Sequence, residues 1–237
     1  MNFKIALIAT VLAIGGMGTA HADTDMVSSA AEQKTEGTAS QTDHDKNQAP
    51  HRDRQWRATI FGGTWMDTTL PAFPKNLLTG NIKLQNAHFL GGGLSRVLVP
   101  RFDIPFFSTT LPGNSMELEG QIVKHFGKQD HVELTGAIVV RSGEIHPLEQ
   151  LSFNVAWANG FSYALSNPAY EKGPEGIPGV NSRKFQYYMG IETEFTHQSM
   201  PNTHLMIKLH HRSGIYGVIS QRKTGSNYIV IGLGWDI

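Results

Sequence analysis

The chain of 237 residues contains no cysteine. That removes disulfides, thiolate metal sites and cysteine nucleophiles together. Charge is scarce as well: charged residues are 17% of the chain, with 20 Lys+Arg against 20 Asp+Glu. Ordinary soluble domains carry about 25%. A net charge of zero excludes the basic surplus of a nucleic-acid binder. Long apolar runs are missing after residue 56, where no stretch reaches the roughly 18 residues of a membrane helix. P-loop and G-x-G-x-x-G patterns, heptads and solenoid repeats are absent too.

Two segments precede the main body. Residues 1–22 read as a cleaved secretory signal: Lys4 gives the charge, 5–17 the apolar run, and Ala20-His21-Ala22 the small-x-small site. No cysteine follows to take a lipid. Residues 23–54 contain no Phe, Tyr, Trp, Leu or Ile. Such a segment buries too little apolar area to offset its ordering entropy, which predicts a disordered polar tail. Its His44 and His51 are read as incidental.

What is abundant in 55–237 is alternation with period two. Ile229, Ile231, Leu233, Trp235 and Ile237 fall on one face; Tyr228, Val230, Gly232, Gly234 and Asp236 fall on the other. The same holds for Leu205, Ile207 and Leu209 against His204, Lys208, His210 and Arg212, and for Tyr187, Met189, Ile191 and Phe195 against Gln186, Gly190, Glu192 and Glu194. Similar runs cover 151–161, 131–141 and 116–125, and weaker ones, of ambiguous phase, lie near 56–66 and 81–98. Gly91-Gly92-Gly93 in the second weak run predicts a bend or a close backbone approach.

These are eight candidate strands, most about ten residues long, the length at which a tilted strand crosses a bilayer. The second face mixes glycines with charges of both signs, which suits the crowded lumen of a narrow barrel. Trp157, Tyr187 and Trp235 suit interfacial girdles. The pattern therefore predicts an all-β fold: an eight-stranded antiparallel transmembrane β-barrel over 55–237. A soluble lipocalin-like barrel is the alternative. With a periplasmic N-terminus, the penultimate strand climbs from about 203 to 213, the last descends from about 227, and the connections 165–183 and 214–226 are extracellular.

One constellation offers chemistry. His211 and Ser213 continue the apolar stripe of Leu205, Ile207 and Leu209 as polar residues at its outer end. Residues two apart on a strand lie roughly 6.6–6.8 Å apart on one side. An imidazole can then reach a hydroxyl, as a general base must. Asn227, in phase with Ile229, starts the last strand opposite them. His210 and His211 point to opposite faces and make a poor metal pair. His125, His131 and His204 fall on the lumen face, where hydrogen bonding is the expected role. No metal or cofactor is expected.

The segment Lys208-Leu209-His210-His211-Arg212-Ser213-Gly214, followed by Gly225-Ser226-Asn227-Tyr228 and a terminal apolar strand, resembles the C-terminal part of the PagL family of lipid A 3-O-deacylases. The resemblance covers about the last thirty residues. It implies an outer-membrane barrel whose H-x-S motif on the outer wall hydrolyses an acyl ester of lipid A, the membrane anchor of lipopolysaccharide. His211 would be the base and Ser213 the nucleophile. The family has Asn after the serine; here it is Gly214, which leaves its backbone N–H as the oxyanion donor. Where the family has a histidine-orienting Glu, this chain has Ser226 and Asn227, and an Asn can orient a histidine without supplying charge. Glu192 and Glu194 are in lumen phase and do not replace it. The implied partners are lipid A and membrane lipid, with no nucleic acid; no oligomeric state is implied. A non-catalytic structural or adhesive barrel, or a soluble periplasmic lipid carrier, are the other readings.

Overall fold

The computed structural model describes residues 55–171, 182–220 and 224–237. The signal peptide and polar tail expected over 1–54 lie outside the described residues, as does the 172–181 part of the loop expected over 165–183. The strands are β1 (Trp56–Met66), β2 (Leu84–Phe106), β3 (Thr109–Gly127), β4 (Val132–Arg141), β5 (Ile145–Leu148), β6 (Leu151–Ala164), β7 (Phe185–His197), β8 (Thr203–Ser213) and β9 (Gly225–Asp236). One short helix, α1 (Phe73–Thr79), follows a single 3-10 turn at Leu70–Ala72 in the connection between β1 and β2. Every pairing is antiparallel. β4 pairs with β6 and β9 returns to β1, so eight strands close a ring while β5 remains a short flap on β6.

The register fixes the shape of the ring. From Trp65, the paired residues run through Tyr228, His210, Gly190, Ala158, Val139, Glu117 and Val97. Val97 N–H donates to the carbonyl of Gln55. One circuit thus ends ten residues before its start. For eight strands this stagger corresponds to a tilt of about 40°, the usual range for a closed barrel. The two ends of the barrel segment meet at one rim, the chain-end rim, where Ile237 N–H donates to Trp56 O at 3.0 Å. The connections after β1, β3, β6 and β8 gather at the opposite rim, the loop rim. β2 and β3 run on past the chain-end rim as a two-stranded ribbon: beyond Arg96, β2 loses its partner on β1, and before Ser115, β3 has none on β4.

Polarity is reversed relative to a water-soluble barrel. Ile122 and Ile231 on the outer wall are 64% and 61% exposed, whereas Glu133 and Glu194 in the lumen are 0% exposed. Leu90, Leu94, Leu118, Ile138, Phe161 and Leu233 continue the apolar outer wall. A closed sheet leaves no unpaired edge on the wall, and an apolar wall of this kind is stable facing lipid. The fold is therefore an eight-stranded transmembrane barrel. The faces expected for the later strands are those observed, and the two strands of ambiguous phase turn their odd residues inward. In β1 these are Arg57, Phe61 and Trp65; in β2 they are Ala87, Phe89 and Ser95.

The lumen is filled. At the chain-end rim Arg141 lies between Glu117 (3.0 Å), Glu192 (2.9 Å) and Glu194 (2.8 Å), and Arg57 pairs with Glu194 and Asp236. His204 is bonded to Thr196 Oγ1 at 2.7 Å and faces Asp236 at 3.1 Å. Midway, Lys208 reaches Glu119 and Glu192 at 3.4 and 3.6 Å. Phe61, Phe89 and Tyr228 pack above it. Gly91-Gly92-Gly93 makes no bend. A Cβ on Gly91 would meet the Phe61 ring at 2.7 Å and one on Gly93 would meet Thr59 Oγ1 at 2.8 Å, so these positions clear room for lumen side chains.

Candidate active site

His211, Ser213 and Asn227 stand at the loop rim on the outer wall, each partly accessible. Strand register explains why. His211 pairs with Met189 on β7 and with Asn227 on β9, and Ser213 pairs with Tyr187 and Gly225. Directly paired residues on adjacent antiparallel strands share a face, so the His211 and Asn227 side chains meet. Asn227 Oδ1 accepts from His211 Nδ1–H at 2.6 Å. Asn227 Nδ2 donates to the carbonyl of Thr68 at 2.5 Å, in the connection after β1. The Thr68 carbonyl only accepts, so it fixes which way the amide faces. Oδ1 then points at the imidazole, Nδ1 keeps the proton, and the Nε2 lone pair is left as a base.

Ser213 lies on the same side, one pleat beyond His211. Its Oγ accepts from Ile215 N–H at 3.5 Å, and no hydrogen bond joins it to His211 among the described residues. The structure thus brings together two of the three predicted side chains and places the third beside them without a bond. No carboxylate is hydrogen-bonded to His211 among the described residues. Glu192 and Glu194 are in the lumen, as expected from their phase.

The chain turns sharply after Ser213. The Gly214 carbonyl accepts from the N–H groups of Gly217 (3.2 Å), Ile219 (3.1 Å) and Ser220 (3.3 Å). Ile215 is held in the left-handed region at φ +45°. That conformation costs a β-branched residue about 1–3 kcal/mol, and the three-fold bonding of Gly214 O offsets it. Gly225 brings the chain back against Ser213 at φ +129°; a Cβ there would overlap the Arg212 carbonyl, so β9 can start at this point only with glycine.

Sequence reading missed Thr68, which acts through its backbone and leaves no side-chain signal. It also missed Glu171, in the connection after β6. Arg212 Nη1 donates to Glu171 Oε1 at 2.6 Å, and Ser226 Oγ donates to the same oxygen at 2.8 Å. Burial raises the Glu171 carboxyl above its usual range, with Arg212 opposing the shift. The residues beside His211 and Ser213 on both strands are thereby tied into the lumen.

Three further residues have metal-ligating chemistry. His125, His131 and Glu133, all buried, each place one ligand atom within 4.8 Å of the others. His125 and His204 make the hydrogen bonds expected of lumen histidines; His131 does not, since both its ring nitrogens are buried without a partner among the described residues. Burial, reinforced by His125 and Arg212, pushes His131 down to about 3, so its ring is neutral.

No protein-family model and no curated protein matches the chain. Among solved structures, it is similar to the crystal structure of the outer membrane enzyme PagL, at 10% identity and a TM-score of 0.49, over 76% of this chain and 99% of that one. It is similar to a de novo designed transmembrane β-barrel at 10% identity and 0.39, over 78% and 98%. It is also similar to the crystal structure of Neisserial surface protein A at 7% identity and 0.42, over 77% and 96%. At such identities only the fold is compared.

Proposed function

We propose that this barrel is an outer-membrane ester hydrolase that removes an ester-linked acyl chain from lipid A, with its chain ends in the periplasm and its loop rim at the outer leaflet. The observation that carries this reading is the His211 Nδ1–H···Oδ1 bond to Asn227, with the amide locked by Thr68. It leaves a free basic nitrogen beside a serine on a wall that faces lipid. A rotamer change of Ser213 exchanges the Ile215 N–H for His211 Nε2 as the acyl carbonyl docks. Nε2 takes the hydroxyl proton, Oγ bonds to the carbonyl carbon, and the charge moves to the carbonyl oxygen, where the Gly214 N–H is the proposed donor. The intermediate collapses with loss of the sugar alkoxide, which takes the proton from Nε2. Water, activated by the same nitrogen, then releases the fatty acid from Ser213.

The test is expression of the wild-type chain in a Gram-negative host without a lipid A deacylase. Mass spectrometry of its lipid A is expected to show loss of one hydroxyacyl chain, absent with Ser213→Ala. Unchanged lipid A with a folded wild-type barrel overturns the reading, and deacylation that persists in Ser213→Ala removes the nucleophile assignment. A second reading, a non-catalytic structural barrel, is favoured by one observation: Ser213 Oγ is bonded to Ile215 N–H and not to His211. The same experiment separates the two.

Asn227→Ala is expected to lower kcat about 10²-fold with little change in KM, because it frees the imidazole to rotate and change tautomer while leaving the apolar wall around the site in place. Fatty-acid release from lipid A in detergent micelles measures it. A loss confined to KM would show that Asn227 binds lipid instead.

A further inference from the structure

We propose that His125, His131 and Glu133 bind a first-row divalent metal ion, zinc by their chemistry, inside the lumen at the loop rim. His131, on the connection between β3 and β4, is only 3% exposed, and neither of its nitrogens has a hydrogen-bond partner among the described residues. A buried imidazole in that state forgoes the interactions that water would give it. A metal ion takes up a nitrogen lone pair and removes that cost.

The other two ligands are already arranged for the ion. Glu133 Oε1 accepts from Ser162 Oγ at 2.7 Å, is bonded to His210 Nε2 at 3.1 Å and lies 3.5 Å from Arg212 Nε. Its Oε2 faces His125 Nε2 alone, at 2.8 Å. A cation between Nε2 and Oε2 replaces the shared proton, while Oε1 keeps the three partners that orient the carboxylate. His125 Nδ1 is bonded to the Tyr228 hydroxyl at 3.2 Å, and Gln129 Nε2 donates to that hydroxyl at 2.6 Å, so the first imidazole is oriented from behind. Arg212, the guanidinium beside Glu133, is itself paired with Glu171 at 2.6 Å.

The rings of His125 and His131 are stacked, 4.0 Å between centroids and 12° from parallel. Two parallel imidazoles cannot both aim at one ion about 2.0–2.1 Å away. His131 therefore turns out of the stack on binding, which its place at the end of the β3–β4 connection allows. Two histidines and one carboxylate suit zinc, and water completes a tetrahedron. His211 and Ser213 face the opposite side of the wall, so this site stands independently of the ester-hydrolase reading.

The test uses the mature chain purified in detergent, stripped with chelator and titrated with zinc and with cobalt. One zinc per chain is expected to survive gel filtration, cobalt is expected to give the visible bands of a tetrahedral site, and zinc is expected to raise the unfolding temperature. His131→Ala is the decisive variant, because its nitrogens hold nothing else in place. It is expected to remain folded by heat-shifted gel mobility and to bind zinc at least about a hundredfold more weakly. A His44→Ala/His51→Ala double variant should bind as wild type does. Failure of the stripped wild type to retain zinc overturns the proposal. So does a His131→Ala protein that binds as tightly as wild type.

Discussion

Ser213→Ala and His211→Ala are each expected to reduce ester hydrolysis to the same residual rate, roughly 10⁴-fold or more below wild type, and the double variant is expected to fall no further. Neither group works alone. The serine hydroxyl is a weak nucleophile until a base removes its proton, and the Nε2 base has no other task on the lipid-facing wall. Their separation on one strand means that neither substitution disturbs β8 pairing, which is backbone to backbone. What remains in the variants is the contribution of lipid docking and the backbone donor. The measurement is single-turnover release of fatty acid from lipid A, with folding checked by heat-shifted gel mobility. Losses that multiply in the double variant would mean that the two residues act separately, and the nucleophile–base pairing would be wrong.

Arg141→Ala is expected to have the largest effect on the barrel itself. Arg141 is 3% exposed and touches three carboxylates, besides donating to Asn154 Oδ1 at 2.9 Å. Removing it leaves Glu117, Glu192 and Glu194 together in a closed lumen, where Arg57 still pairs with Glu194 and Lys208 still lies 3.6 Å from Glu192. Removing one partner of a buried ion pair costs about 3–5 kcal/mol, and here three partners share the loss. Denaturant unfolding in detergent is expected to shift to a lower midpoint, with an unfolding free energy reduced by about 3–5 kcal/mol. Arg141→Lys should recover only part, since an ammonium cannot match the fork that spans Glu117 and Asn154. A midpoint within experimental error of wild type would show that the lumen reorganises around the missing charge.

Much of this architecture is legible in the sequence because alternation has one period and two chemically distinct faces. Strands β3, β4 and β6–β9 show it. β1 and β2 do not, and the reason is physical: Phe61, Trp65 and Phe89 point into the lumen, so apolar residues occupy both faces and hydrophobicity no longer distinguishes them. The reading also ends β2 near 98 and starts β3 near 116, whereas the ribbon carries them to Phe106 and Thr109. Pro100, Pro105 and Pro112 look like strand breakers, but in this ribbon each strand has one unpaired side, where a missing N–H costs little. α1 and β5 are too short for any period to register. At the candidate site, register alone predicts that His211 meets Asn227. The Thr68 carbonyl that locks the amide is invisible to sequence, and so is the turn that draws Ser213 Oγ toward Ile215 N–H.

The filled lumen has an electrical consequence. A mobile ion entering from either rim meets side chains of both signs already held in ion pairs: Arg141 among its carboxylates at one end, Arg212 between Glu133 and Glu171 at the other. To pass, it must displace a fixed counter-charge and then an aromatic layer of Phe61, Phe89 and Tyr228 whose one oxygen, the Tyr228 hydroxyl, is already hydrogen-bonded. The molecule is therefore expected to be an insulator across the bilayer, with no unitary conductance in a planar lipid membrane. A membrane crowded with it is then expected to keep its resistance, and the surface left to the surrounding lipid is the outer wall.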